Sequence, residues 1–346
     1  MTVRVLVVDD SPTVRGRLVE VLGADPDLEV VGEGADGKQA IELCRSLRPD
    51  VVTLDMMMPS MTGLAATEYI MAYCPTPILI ISSSTNRRDL FKMYDALAAG
   101  AVDVLEKPAG DATDEAWERK LLSTVKLVAR IKVITHPRAK LAPLPAPAVE
   151  KPASGRYRFV AMGASTGGPA AVLRILKSLP ATYPLPILLV IHIGRLFAVG
   201  LAEWLDSQSP LRVAYATDGE PLPEPGRGRV ILAPPDRHLV VERSRLRLSA
   251  APERHSCRPS VDVLFESAAR EWGERTIGCL LTGMGKDGAQ GLLEMRQAGG
   301  WTTAQDKESS VVYGMPFEAA QRGAAGKILS LDEMAPALTD LAEAGS

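Results

Sequence analysis

The 346-residue chain carries 39 Lys and Arg against 42 Asp and Glu, a formal charge of -3, with 46% hydrophobic and 23% charged residues. These are ordinary globular proportions and exclude an intrinsically disordered chain. The two charge signs are interspersed without a basic stripe, so neither nucleic acid nor an anionic membrane surface is expected as a partner.

The length suffices for two domains with separate cores. Cys44, Cys74, Cys257 and Cys279 lie far apart with no C-x-x-C pair. They read as buried free thiols, not as a zinc site or a disulfide framework. Residues 1–5 run straight into a strand pattern without the regions of a signal peptide, and no apolar run approaches the ~20 residues of a membrane span. A cytoplasmic protein without direct membrane insertion is expected.

Residues 3–8 form an apolar run broken only by Arg4 and ending in Asp9-Asp10-Ser11-Pro12. That pattern predicts a buried parallel strand feeding a helix. It repeats as a helix over 13–22, a strand over 29–32, a helix over 37–46 and a strand over 51–54 ending at Asp55. Further strands follow over 77–81, ending at Ser82, and over 102–105, followed by Glu106-Lys107-Pro108. Strands alternating with helices in this way predict an α/β domain with a doubly wound parallel sheet, whose ligands sit beyond the carboxyl ends of the strands.

In a flavodoxin-like strand order 2-1-3-4-5, Asp9 and Asp10 from strand one and Asp55 from strand three converge at the switch point. Three like charges this close repel one another. A Mg²⁺ ion removes the conflict, because it is held by few carboxylates plus water and phosphate oxygens. Lys107 would then offer a compact positive charge to a phosphoryl group on Asp55, and Ser82 could donate a hydrogen bond to it. The plainer reading, ordinary strand-end caps and turn formers, leaves unexplained why all these residues fall on the correct strand ends together. As a set, Asp9-Asp10, Asp55, Ser82 and Lys107-Pro108 resemble the response-regulator receiver domain over residues 1–125. The resemblance implies that Asp55 is the phosphoacceptor, and that Asp9, Asp10, Asp55 and the backbone carbonyl of Met57 hold Mg²⁺. It further implies that Ser82 is the switch hydroxyl, Lys107 the phosphate contact, and a sensor histidine kinase the phosphodonor.

Residues 115–134 have helical spacing. From 135 to 158 Pro137, Pro143, Pro145, Pro147 and Pro152 interrupt an Ala, Lys and Leu background, which predicts a semi-extended tether. The division is therefore a first domain over 1–125, a helix end and linker over 126–156, and a second domain over 157–346. His136, beside Pro137, reads as a solvated tether residue.

The second domain opens with a strand over 159–162 and continues with strands over 187–191, 213–215, 230–232, 276–281, 301–304 and 327–329. It too reads as a doubly wound, Rossmann-like parallel sheet. Residues 239–242 and 246–249, split by Arg243-Ser244-Arg245, read as a β-hairpin inserted into that sheet. From Val261 the apolar residues recur at helical spacing, with Ser260 as the N-cap.

The first of these strands runs into Gly163-Ala164-Ser165-Thr166-Gly167-Gly168-Pro169, a G-x-S-x-G turn. Such a strand-to-helix turn exposes a serine hydroxyl as a nucleophile elbow, although glycine-rich turns also cradle phosphates on helix N-termini. The nucleophile reading needs a base and an orienting acid. His192 directly follows the strand over 187–191, and Asp287 lies in the glycine-rich turn 282–288 after the strand over 276–281. If those two strands flank the first, Ser165, His192 and Asp287 meet above one sheet edge. His192 would take the serine proton at ~3 Å and a buried carboxylate would fix its tautomer. The chain order Ser, His, Asp is not the Ser, Asp, His of α/β-hydrolases.

Together with Ala233-Pro234-Pro235-Asp236-Arg237-His238-Leu239, Arg258-Pro259-Ser260-Val261-Asp262, Thr282 to Gly288 and Val311-Val312-Tyr313-Gly314-Met315-Pro316, the elbow is similar to the catalytic domain of chemotaxis protein-glutamate methylesterases. Those proteins carry an N-terminal receiver, so the resemblance covers nearly the whole chain. It implies a triad of Ser165, His192 and Asp287, with Thr166 and Met284 beside the nucleophile and backbone N–H groups there forming an oxyanion hole. It implies phosphorylation-controlled hydrolysis of glutamyl methyl esters on a methylated chemoreceptor, with release of methanol, and deamidation of receptor glutamine by the same acyl-enzyme. His238 and His255 sit in the family motifs outside the triad. Ile191-His192-Ile193-Gly194 departs from the family's usual Gln-His-Met-Pro. That departure keeps open a paralogue acting on a non-flagellar chemosensory receptor, or a receiver-controlled scaffold with a vestigial esterase site. A nucleotide-binding output is disfavoured, because Ser165 takes the middle glycine position of G-x-G-x-x-G and no G-K-[ST] follows.

Overall fold

The computed structural model describes residues 2–83, 86–107, 115–131, 133, 156–226 and 228–343. The tether over 134–155, His136 included, lies outside the described residues. The chain falls into two compact units, Met1–Ala142 and Pro143–Ser346.

The first unit alternates β1 (Val3–Val8), α1 (Pro12–Gly23), β2 (Leu28–Gly34), α2 (Gly37–Leu47), β3 (Val51–Leu54), α3 (Gly63–Tyr73), β4 (Ile78–Ser82), α4 (Arg87–Ala98), β5 (Asp103–Glu106) and α5 (Glu115–Val128). The strand order is β2-β1-β3-β4-β5, and every pair is parallel. Central strands of such a sheet are covered on both faces, which is why they read as unbroken apolar runs. Val5, Leu6, Val7, Ile78, Leu79 and Ile80 are all fully buried. The helix expected over 115–134 ends at Val128 instead. There the N–H groups of Arg130 and Ile131 close back on Leu127 and Val128 in tighter bonds of 3.1 Å, and the β-branched Ile131 and Val133 that follow are poor helix formers.

The second unit contains β6 (Phe159–Ala164), α6 (Gly168–Ser178), β7 (Ile187–Ile191), α7 (Arg195–Ala198), α8 (Leu201–Gln208), β8 (Arg212–Tyr215), β9 (Arg229–Leu232), β10 (His238–Glu242), β11 (Arg245–Ser249), α9 (Val261–Trp272), β12 (Thr276–Leu280), α10 (Ala289–Gln297), β13 (Trp301–Gln305), α11 (Met315–Gln321), β14 (Lys327–Leu329) and α12 (Leu331–Glu343). Its seven-stranded parallel sheet has the order β14-β13-β12-β6-β7-β9-β8. The central strand β6 therefore lies between β12 and β7, and all six of its residues are buried.

The hairpin β10–β11 corrects one expectation. It interrupts the sequence between β9 and α9, but it forms its own two-stranded antiparallel sheet and does not join the seven-stranded one. The period-2 alternation explains this. Leu239, Val241 and Leu246 point to one face and join Leu264, Phe265 and Ala268 of α9 in a single buried cluster. Burying Phe265 completely is worth about 3 kcal/mol at most, and the same helix places its N-terminus at the sheet edge that carries the chemistry.

Candidate active site

Register decides what meets at that edge. Gly163 pairs with Leu280 on one side and Val190 on the other, and Ala164 pairs with Ile191. Ser165 and His192 are thus the next residues beyond paired positions, and the pairing continues past the strands. The Ser165 N–H donates to the Thr282 carbonyl at 3.0 Å, and the His192 N–H donates to the Ala164 carbonyl at 3.0 Å. After Ser165 the chain turns through Gly167, whose φ of 76° lies in the left-handed region and serves as the N-cap of α6. The turn after β12 approaches the nucleophile so closely that a Cβ on Gly283 would lie 2.7 Å from the Ser165 Cβ and 2.4 Å from the Met315 sulfur.

The two partners expected for Ser165 are joined to each other. His192 Nε2 lies 2.9 Å from Asp287 Oδ2, and Asp287 is 2% exposed. Burial pulls the imidazole pKa down, but hydrogen bonding to Asp287, assisted by Cys257, outweighs it and raises the value to about 9. Burial pushes the Asp287 pKa up, yet the bond to His192 and further donors leave it lowered. The two shifts describe one ion pair. The Ser165 hydroxyl makes no hydrogen bond among the described residues, so the nucleophile-to-base contact is the open half of the set. Catalytic hydrogen bonds of this kind are often long in an unliganded site and tighten around substrate. Met284, next in the chain to Gly283, is 57% exposed.

Several neighbours escaped the sequence reading. Cys257 Sγ lies 3.7 Å from His192 Nδ1. Ser260, expected only as a helix cap, also donates its hydroxyl to Asp287 Oδ1 at 2.7 Å. The Thr282 hydroxyl donates to the Thr166 carbonyl at 3.0 Å and accepts from the Val312 N–H at 2.9 Å, while Gln305 Oε1 receives the Thr282 N–H at 2.8 Å. These bonds brace the nucleophile turn against the β12 and β13 ends. The cysteines were read as uniformly buried. Cys44 and Cys279 are, but Cys74 and Cys257 are partly exposed, because one caps the end of α3 and the other sits in the loop before α9.

In the first unit, side-chain oxygens of Asp9, Asp10 and Asp55 all lie within 4.8 Å of one another. Lys107 Nζ lies 2.8 Å from Asp9 and 3.2 Å from Asp55. Burial is the chief reason the Asp55 pKa rises to about 6, against the pull of Lys107. Burial works against the Lys107 ammonium, but the two carboxylates outweigh it and raise its pKa. Ser82 ends β4, and its carbonyl receives the Lys107 N–H at 3.1 Å. Met57 lies in the loop after β3. An all-oxygen donor set of clustered carboxylates fits a hard divalent cation such as Mg²⁺.

Comparison with known proteins identifies the family of each unit. The CheB methylesterase family profile matches residues 160–338, and the response regulator receiver domain profile matches residues 5–114. A Myxococcus xanthus protein named protein-glutamate methylesterase/protein-glutamine glutaminase 4 is 45% identical over 342 residues, covering 97% of this chain and 96% of that one. The chain belongs to the CheB methylesterase family. A Nitrosospira multiformis protein named protein-glutamate methylesterase/protein-glutamine glutaminase is 44% identical, covering 98% and 97% of the two chains. The crystal structure of the Thermotoga maritima CheB methylesterase catalytic domain aligns with a TM-score of 0.50 at 37% identity, covering 54% of this chain and 98% of that one. In this CheB family member a cavity of about 250 Å³ opens beside the base. Ile191, Ile193, Tyr215 and Pro259 line its apolar part, and Asp236 and Arg258 lie at its charged side, joined at 2.6 Å. No helix among the described residues is long and apolar enough to cross a membrane.

Proposed function

We propose that this chain is a receiver-controlled protein-glutamate methylesterase and protein-glutamine deamidase acting on the cytoplasmic part of a methylated chemoreceptor. The limits that go with this reading are a receiver over 1–125, a helix end and linker over 126–156, and a catalytic domain over 157–346. The observation that carries it is the His192–Asp287 hydrogen bond, formed at the ends of the two strands that flank the strand leading to Ser165. An assembled, buried acid–base pair of this kind speaks against a scaffold with a vestigial site.

In the reaction, Ser165 Oγ attacks the γ-carbonyl carbon of a methylated glutamate while His192, through the ring nitrogen not bound to Asp287, takes the hydroxyl proton. Asp287 stabilises the resulting imidazolium. Negative charge develops on the carbonyl oxygen, and backbone N–H groups at Thr166 and Met284 receive it; one such donor is worth about 3 kcal/mol. Collapse of the tetrahedral intermediate breaks the C–O bond to the methoxy group, which leaves as methanol with the proton from His192. Water then adds to the acyl-enzyme with His192 as base, releasing glutamate and restoring Ser165. A glutamine side chain follows the same course with ammonia as the leaving group.

In the receiver, Asp9, Asp10, Asp55 and the Met57 carbonyl would hold Mg²⁺, which supplies charge neutralisation for phosphoryl transfer to Asp55 from a sensor histidine kinase. Lys107 and Ser82 contact the phosphoryl oxygens. The test of the catalytic assignment is Ser165→Ala, which should lower methanol release from membranes carrying methylated chemoreceptors by at least roughly a thousandfold. Retained turnover would overturn it.

A further inference from the structure

Asp287 is held by more than its histidine. Its Oδ1 accepts the Ser260 hydroxyl at 2.7 Å and the Asp262 N–H at 3.2 Å, and its Oδ2 accepts the Val261 N–H at 2.7 Å in addition to the bond with His192. Three of those four donors belong to the first residues of α9, whose positive dipole end faces the carboxylate. Ser260 is itself fixed from behind. Its N–H donates to His238 Nδ1 at 3.1 Å, and His238 Nε2 lies 3.1 Å from the Pro252 carbonyl. Nδ1 must accept, so Nε2 carries the ring proton and donates it. His238 and Ser260 are both fully buried.

We propose that Ser260 is a positioning residue for the ester hydrolysis. It aims the Asp287 carboxylate at His192, and His238 orients Ser260 from the base of the hairpin. This rests on the reading of Ser165, His192 and Asp287 as the triad. A helix-capping role alone does not account for the geometry. The capping contact, in which Ser260 Oγ accepts from the Val263 N–H, is long at 3.4 Å, whereas the contact to Asp287 is short and uses the only proton the hydroxyl has. Capping requires an acceptor at this position; holding Asp287 requires a donor. Because the carboxylate is dry, a lost donor is not replaced by water without cost.

The test is a double-mutant cycle in the full-length protein, read by methanol release and by the rate at which a serine-directed phosphonate labels Ser165. Ser260→Ala should lower kcat roughly ten- to a hundredfold, the size expected for a hydrogen bond to a buried charge, with KM within about twofold. Ser260→Thr keeps the donor and should restore most of the rate. Ser260→Gly caps nearly as well as serine but has no hydroxyl, so it should fold and still show the loss. In an Asp287→Ala background, Ser260→Ala should cost almost nothing further. A wild-type rate for Ser260→Gly, or an equal loss with and without Asp287, would overturn the proposal. If instead Ser165→Ala or Asp287→Ala remained active, it is the triad reading that would fail.

Discussion

At the scale of single residues, the base is the group whose behaviour can be forecast. His192 is held protonated to about pH 9 because a buried carboxylate and a thiol outweigh the cost of burying its charge. A general base must be neutral to accept the Ser165 proton. At pH 7 the protonated imidazole predominates. The rate constant kcat/KM should therefore climb with pH along a limb centred well above the usual imidazole range, toward about 9. Asp287→Asn removes the charge that raises the limb, so the limb should move down in pH while kcat falls by ~10⁴. A pH–rate profile of methanol release checks both; a limb that stays in place in the variant would remove Asp287 from the electrostatics of the base. Folding stability depends on the same titration. A folded pKa above the unfolded 6.5 stabilises the fold fully below pH 6.5, and that contribution is lost as pH rises through about 9.

At the scale of elements, the site is a set of turns held at the ends of parallel strands, and the turn after β12 leaves little room. Gly283 carries the backbone within reach of both Ser165 and Met315, so Gly283→Ala must push the nucleophile turn, the Met315 side chain or both. Displacements of about 1 Å in a reacting constellation cost roughly a hundredfold. The expected outcome is a fall of that order in the rate of phosphonate labelling of Ser165, in a protein whose thermal unfolding still shows a folded second unit. Full labelling would mean that the turn is not part of the site's architecture. The alternation of strands and the strand-end placement of Ser165, His192 and the turn holding Asp287 were legible in the sequence, because apolar runs report strand ends directly. Cys257, Ser260, Thr282 and Gln305 were not. Each has a sufficient local role, as loop residue, helix cap or strand end, and only the register of β6 against β12 and the docking of α9 bring them to the triad. The hairpin was misjudged for the same reason. Alternation reports that one face is buried, but not which partner covers it, and here α9 does so in place of the main sheet.

At the scale of the whole molecule, each unit carries its candidate site at strand ends of a parallel sheet, the Asp9, Asp10 and Asp55 cluster in one and the His192–Asp287 pair in the other. Phosphorylation would replace the single negative charge of the Asp55 carboxylate with a phosphoryl group carrying about -1.5 to -2, in a cluster where one ammonium already serves two carboxylates, Lys107 with Asp9 and Asp55. Lys107, which follows β5 and is tied by its N–H to the Ser82 carbonyl at the end of β4, would then face the phosphoryl oxygens as well. Under the proposed function, the Asp55 carboxylate is the group on which activation depends. A small phosphodonor with Mg²⁺ should stimulate methanol release by the native protein. In Asp55→Ala the ratio of stimulated to basal rate should fall to one, and withdrawing Mg²⁺ from the native protein should do the same. Stimulation that persists in the variant would place the switch on another residue.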